Sequence, residues 1–168
     1  ALAAYPELGC TGGPYEVARH WGVFPDVLCI GNEKTYEFLE GVLSEVIELF
    51  PAKYIHIGGD EAHSTTSQDY AYFMNRVTKI AQKYGKTPIG WQNYDGVVED
   101  KEGTVTEFWS TGNAKLKEGI KYVVSPADYA YMDMKYDANC PLGLQWAGYN
   151  SIEDTYSWDP TNLSLIHI

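Results

Sequence analysis

Within this chain of 168 residues, reactive side chains concentrate in His56-Ile57-Gly58-Gly59-Asp60-Glu61. Two adjacent carboxylates in a partly dry pocket repel each other, so one keeps its proton and can act as an acid while its neighbour stays charged. Most Asp-Glu pairs are solvated acidic turns. Here the Gly-Gly before the pair and the aromatics after it argue for more. Trp91 and Trp109 each close a strand-like run. Tyr131 and Asp133 stand two apart, so in an extended segment both side chains share a face. Trp146 follows in Gly-Leu-Gln-Trp-Ala-Gly-Tyr. A pyranose ring offers apolar C–H faces and polar edges, which indole walls with carboxylate and phenol groups would fit. For any single Trp the alternative is core packing, and Tyr129 and Tyr136 read as structural.

The remaining candidates are weaker. His56 and His63 with Asp60 between them match no familiar metal-ligand spacing, so no metal and no cofactor is expected. His56 reads as a core histidine with its hydrogen bonds satisfied, and His20 as a loop residue near the site. The three cysteines Cys10, Cys29 and Cys140 show no C-x-x-C spacing. Cys10 and Cys29 are either bridged, which would suit an exported protein, or two buried thiols.

Twelve Lys and Arg against 23 Asp and Glu give a net charge of −11 and a pI near 4.6. Such a surface repels phosphate backbones and anionic bilayers, so neither nucleic acid nor a membrane surface is an expected partner. No apolar run reaches the ~20 residues of a membrane helix.

The elements that must position these residues follow from periodicity. Leu39, Val42, Leu43, Val46, Ile47 and Phe50 recur at helical spacing, with Asn32 to cap the helix and Pro51 to stop it. Residues 54–57 read as a short buried strand. Tyr70, Phe73, Met74, Val77, Ile80, Ala81 and Tyr84 mark a second helix, capped by Thr66 or Ser67 and ended at Gly85. Residues 87–91, 105–109 and 122–124 read as strands, with a weaker helix at 113–118.

Alternating helix and strand predict parallel strands with right-handed crossovers, an α/β class. The helix-to-strand connection at 84–87 is tight, while the strand-to-helix connection at 57–68 is long and polar. That asymmetry points to a (β/α)8 barrel, whose site is built from the loops after its strands. A doubly wound sheet would usually carry a Gly-rich phosphate loop after its first strand, and none is readable. Four strands are legible where a barrel needs eight in about 250 residues, so about half a barrel is expected. Residues 1–162 read as this partial catalytic domain. Residues 163–168 either form one more strand or are a non-native tail, since they match the translation of a sequencing-library adaptor.

Taken in order, His-Ile-Gly-Gly-Asp-Glu, the strand ending in Trp91, Phe108-Trp109, Tyr-Met-Asp and Trp-Ala-Gly-Tyr resemble glycoside hydrolase family 20, the β-N-acetylhexosaminidases. The opening Ala-Leu-Ala-Ala-Tyr-Pro-Glu-Leu resembles the segment after that family's third barrel strand. The chain would then run from about strand 3 or 4 to strand 7. The family's Pro-Gly-His motif, its substrate-gripping Arg, and the Trp and Glu of its last strands are not in this sequence.

The resemblance implies a retaining exo-hydrolase acting on terminal β-linked N-acetylglucosamine or N-acetylgalactosamine, in oligosaccharides or glycoconjugates. It also implies that the substrate's own acetamido oxygen is the nucleophile, an exception among retaining glycosidases. On that reading Glu61 is the general acid and base, Asp60 holds the acetamido N–H, and Tyr131 donates to the acetamido oxygen. Trp91, Trp109 and Trp146 would wall the pocket, and Asp133 would accept from a sugar hydroxyl. The competing expectation is a carbohydrate-binding barrel without catalysis. An exported location is expected: periplasmic, cell-surface or extracellular.

Overall fold

The structure, a computed structural model, describes residues 1–110 and 116–162. Asn32 caps the first helix, α1 (Glu33–Leu49), by accepting from the Lys34 N–H at 3.1 Å. Its amide also donates to the Glu7 carbonyl at 2.9 Å, tying the helix start to the N-terminal segment. Thr66 caps α2 (Ser67–Lys83) by accepting from the Asp69 N–H at 3.1 Å. Gly85 follows with φ +73°, the left-handed stop that its residue type favours.

Four strands form one sheet in the order β1 (Tyr54–His56), β2 (Thr87–Trp91), β3 (Val105–Phe108) and β4 (Tyr122–Val124). Every pair is parallel and neighbours follow chain order, as in successive units of a barrel. The register sets His56 beside Ile89 and Trp91 beside Glu107. The α2 helix makes the crossover from β1 to β2.

The core lies between α2 and the sheet. Met74, Tyr94 and Val98 are buried there, with Ile57, Tyr70, Phe73 and Val97 packed around them. Each such side chain contributes about 1.5–3 kcal/mol when fully buried. The Tyr94 hydroxyl shares a hydrogen bond with Thr78 Oγ1, and burial pushes its pKa up to about 12. It therefore stays neutral inside the core.

The elements differ from expectation in places. The strand at 54–57 forms but is not buried: Tyr54 is 51% exposed, because β1 is the sheet edge with a partner on one side only. Half of the helix expected at 113–118 lies outside the described residues, and 116–118 are not helical. Two further short helices are present, α3 (Ala127–Ala130) and α4 (Ile152–Ser157). The second has a reciprocal capping box between Ser151 and Asp154, a signal present in the sequence. The apolar tail at 163–168 also lies outside the described residues.

Cys10 and Cys29 are bridged, which settles the alternative left open by their spacing. The Cys29 N–H donates to the Leu8 carbonyl at 2.7 Å, so the bridge closes the base of a loop spanning 10–29. Cys140 is a free thiol.

Candidate active site

Beyond β1 the chain turns through three left-handed residues, Gly58 (φ +74°), Gly59 (φ +90°) and Glu61 (φ +48°). A left-handed conformation at a non-glycine residue costs on the order of 1–3 kcal/mol and persists only where its surroundings hold it. At Glu61 the carbonyl accepts from the His63 N–H at 2.8 Å, and four more hydrogen bonds fix the turn ahead of it. The Ile57 N–H donates to the Ile89 carbonyl at 2.8 Å, and the Trp91 N–H to the Gly58 carbonyl at 3.0 Å. The Tyr70 hydroxyl donates to the Gly59 carbonyl at 2.7 Å, and the Gly58 N–H to His56 Nδ1 at 3.0 Å. Gly59 also lies against the core, since a Cβ there would sit 2.6 Å from Met74 Cε. The Gly-Gly pair thus meets both a backbone and a packing demand, and the turn it makes presents Asp60 and Glu61.

The presentation is into a cavity of about 410 Å³ lined by Asp60, Glu61, Trp91, Trp109, Tyr131, Asp133 and Trp146, with Trp21, Gly22 and Val23 completing it. All seven residues singled out from the sequence therefore face one space, in the size range of small-molecule sites. Trp91 ends β2, and Trp109 follows β3 directly. Tyr131 is the C-cap of α3, with an extended backbone. The next two residues turn, so Tyr131 and Asp133 reach the cavity from a bend and not from the extended run expected of them.

The Trp146 indole meets Trp109 edge-on at 5.9 Å between centroids and Tyr131 at 5.7 Å. Such edge-to-face pairs are worth about 0.5–1.5 kcal/mol beyond burial and fix ring orientation. Gln92 aims the other end of this wall. Its Oε1 accepts from the Trp109 and Ser110 N–H groups at 3.1 and 2.8 Å, and its Nε2 donates to the Ser110 carbonyl at 3.1 Å. Buried Asn150 holds the α3 segment by donating to the Tyr129 and Tyr131 carbonyls at 3.0 and 3.1 Å.

Burial and nearby carboxylates together set the electrostatics. Glu107 on β3 places Oε2 3.2 Å from His56 Nε2, while its Oε1 accepts from Ser125 Oγ at 2.8 Å. Burial holds the His56 pKa below its ordinary value, with Glu107 and Asp60 pulling the other way. Because Nδ1 accepts from Gly58, the neutral ring carries its proton on Nε2 and donates it to Glu107. The Tyr131 hydroxyl is pushed up, first by burial and then by Glu107, Asp133, Asp60 and Glu61. It remains a phenol, able to donate.

The family model for the catalytic domain of glycosyl hydrolase family 20 matches residues 1–71 and 63–165. The chain belongs to glycosyl hydrolase family 20. It is 32% identical to a β-N-acetylhexosaminidase of Cellulomonas fimi over 169 residues, covering 97% of this chain and 34% of that protein. The structure of the family 20 β-N-acetylhexosaminidase from Streptomyces coelicolor superposes with a TM-score of 0.89 at 40% identity, covering 96% of this chain and 35% of that one. A mutant Streptomyces plicatus β-hexosaminidase in complex with its product GlcNAc gives a TM-score of 0.87 at 39% identity, over 95% and 34%. The chain thus spans about a third of the length of these relatives. Its four-stranded parallel sheet is part of the family 20 barrel.

Several residues of this family 20 site were not anticipated. Glu107 carried a legible signal, the one charged side chain of its strand, just ahead of Phe108-Trp109. Gln92 and Asn150 carried none, because amides that bond to backbone groups look like any surface amide. Trp21 comes from a loop with no periodicity. His56 has its hydrogen bonds satisfied as expected, but stands beside the Trp91 ring with its side chain about a third exposed, not in the core. Among the described residues no three His, Cys, Asp or Glu side chains gather where they could hold a metal ion.

Proposed function

We propose that the whole protein is a retaining exo-β-N-acetylhexosaminidase that uses the substrate's acetamido group as nucleophile. The observation that carries this reading is the convergence of Asp60, Glu61, Tyr131 and three indoles on one cavity. The names of the relatives support it, as does the GlcNAc bound by the Streptomyces plicatus mutant.

The Glu61 carboxyl gives its proton to the glycosidic oxygen as the bond from that oxygen to the anomeric carbon breaks. The acetamido oxygen attacks the same carbon from the opposite face and closes an oxazolinium ring. Asp60 accepts from the acetamido N–H and stabilises the positive charge that grows there. The Tyr131 O–H holds the acetamido oxygen in line. Glu61, now a carboxylate, takes a proton from water, whose oxygen opens the ring at the anomeric carbon. Two inversions leave the configuration retained. Trp91, Trp109 and Trp146 wall the acetamido pocket, and Asp133 accepts from a sugar hydroxyl. An attached nucleophile has an effective molarity of about 10⁵–10⁸ M, so no enzyme carboxylate need attack.

Substrates on this reading are oligosaccharides or glycoconjugates ending in N-acetylhexosamine. The Cys10–Cys29 bridge supports an exported location, since disulfides persist in oxidising compartments.

Replacing the 2-acetamido group of the substrate by hydroxyl should lower turnover by several orders of magnitude. A thiazoline analogue of the bicyclic intermediate should bind far more tightly than the product sugar, and Tyr131→Phe should reduce turnover. Rapid denaturation and mass spectrometry decide the matter. A glycosyl adduct on any carboxylate of the protein overturns substrate assistance, and sugar binding without turnover leaves the non-catalytic reading.

A further inference from the structure

The function proposed above gives tasks to Asp60, Glu61 and Asp133 and leaves the carboxylate of Glu107 without one. Glu107 is the register partner of Trp91 on the neighbouring strand, so the two side chains leave the same face of the sheet. The Trp91 indole lines the cavity and packs on the imidazole that Glu107 holds. Trp109, two residues beyond Glu107, lines the cavity as well, whereas Glu107 itself does not. The carboxylate therefore stands behind the wall that these two indoles make.

It is held there as an anion. Oε2 accepts from His56 and Oε1 from Ser125 Oγ, so both oxygens are acceptors and neither carries a proton. The side chain is 21% exposed. Among the described residues no lysine or arginine pairs with it, and none lines the cavity. A carboxylate so placed is destabilised unless positive charge comes near it. Its field reaches the site: the Tyr131 hydroxyl is pushed up first by burial and next by Glu107, ahead of Asp133, Asp60 and Glu61. On the proposed reaction path positive charge develops in the oxazolinium ring, in the pocket that Trp91 and Trp109 wall.

We infer that Glu107 is a second fixed anion of the site, set behind the acetamido pocket, and that it makes the pocket favour the oxazolinium cation over a neutral sugar. The inference rests on the hydrolase reading above. Asp60 acts by contact with the acetamido N–H, whereas Glu107 acts through the wall, as a positioning residue. A neutral N-acetylhexosamine gains little from it. The charge that grows on the way to the intermediate is attracted throughout, and an anion already held by His56 and Ser125 need not rearrange to act.

The test uses Glu107→Gln in the full-length enzyme, which removes the charge and keeps the shape. The new amide can donate to Ser125 Oγ, whose own proton can turn to the Phe108 carbonyl 3.4 Å away. Two ligands are compared: the product sugar, which is neutral, and an aminothiazoline analogue of the bicyclic intermediate, measured where it is protonated. Glu107→Gln should weaken the cation roughly tenfold relative to the product sugar, the scale of one unit charge several ångströms away. On the methyl β-N-acetylhexosaminide kcat should fall by about the same factor, with KM little changed. Glu107→Asp keeps the charge, and its ratio should stay within about threefold of wild type. Equal weakening of both ligands by Glu107→Gln, a ratio equal to wild type, or the same loss of ratio in the Asp and Gln variants overturns the second anion while the hydrolase reading stands. A wild-type enzyme that does not cleave the glycoside overturns both.

Discussion

His56 Nε2 and Glu107 Oε2 lie 3.2 Å apart and join β1 to β3, two strands that are not hydrogen-bonded neighbours. The other ring nitrogen accepts from Gly58. A carboxylate on one strand thereby orients the imidazole that holds the start of the Gly58–Gly59 turn on another, with the Trp91 ring 4.9 Å from the imidazole between them.

This relationship predicts a pH effect with a definite sign. Burial lowers the His56 pKa in the folded protein, and Glu107 opposes that shift. As pH falls through about 6.5 the unfolded chain takes up the proton first, so this group's share of stability is complete above that pH and is lost below it. Glu107→Gln removes the opposing charge, so NMR titration of the full-length enzyme should find the His56 pKa lower than in wild type. The loss of stability between pH 7.5 and 5.5, read from denaturant midpoints, should be larger in the variant. An unchanged or raised His56 pKa would contradict the pairing.

Glu61→Gln tests the acid. Turnover should fall by about 10² to 10⁴, the usual worth of a positioned proton donor. The loss should shrink on nitrophenyl glycosides, whose leaving group departs without a proton. Equal losses on alkyl and nitrophenyl substrates would remove Glu61 from this role.

The two glycines of the turn should respond differently to a methyl group. At Gly58 nothing lies within 4 Å of an added Cβ, so Gly58→Ala meets only the strain of φ +74°, about 1–2 kcal/mol. At Gly59 the same strain is joined by contact with Met74 at 2.6 Å, for which overpacking adds roughly 1–3 kcal/mol. Denaturant unfolding should rank Gly59→Ala below Gly58→Ala in stability, and the reverse order would show that Met74 yields.

Expressed by itself, the 168-residue chain should aggregate or remain molten, and it should be inactive. On α1 and just beyond it Leu49 and Phe50 are 75% and 65% exposed, and β1 offers an unpaired edge. A cooperative melt together with turnover by this chain alone would contradict the expectation.

Much of the fold was legible because its signals are local. Asn32 and Thr66 cap helices where the sequence places caps, since an N-cap needs only a side-chain oxygen a few residues from the N–H groups it serves. The four strands appear within a residue of their expected bounds for the same reason: the chain around each switches from helical to strand-like patterning. The Ser151–Asp154 box was equally local, but α4 is six residues long and has too few apolar repeats to reveal its period.

The types and order of the site residues belonged to the sequence. Asp60-Glu61 after two glycines, Trp91 and Trp109 at strand ends, the Tyr131/Asp133 pair and Trp146 were all readable there. Their convergence depended on register, which stacks parallel strands so that their C-terminal ends open on one side. What only the tertiary structure decided was contact between distant segments. Glu107 found His56 across 51 residues, Gln92 found the backbone of Trp109, and the loop carrying Trp21 found the turn beyond Glu61. Periodicity reports which face of an element is buried, but these contacts depend on where one element's polar atoms lie relative to another's. That information exists only once the strands are packed side by side.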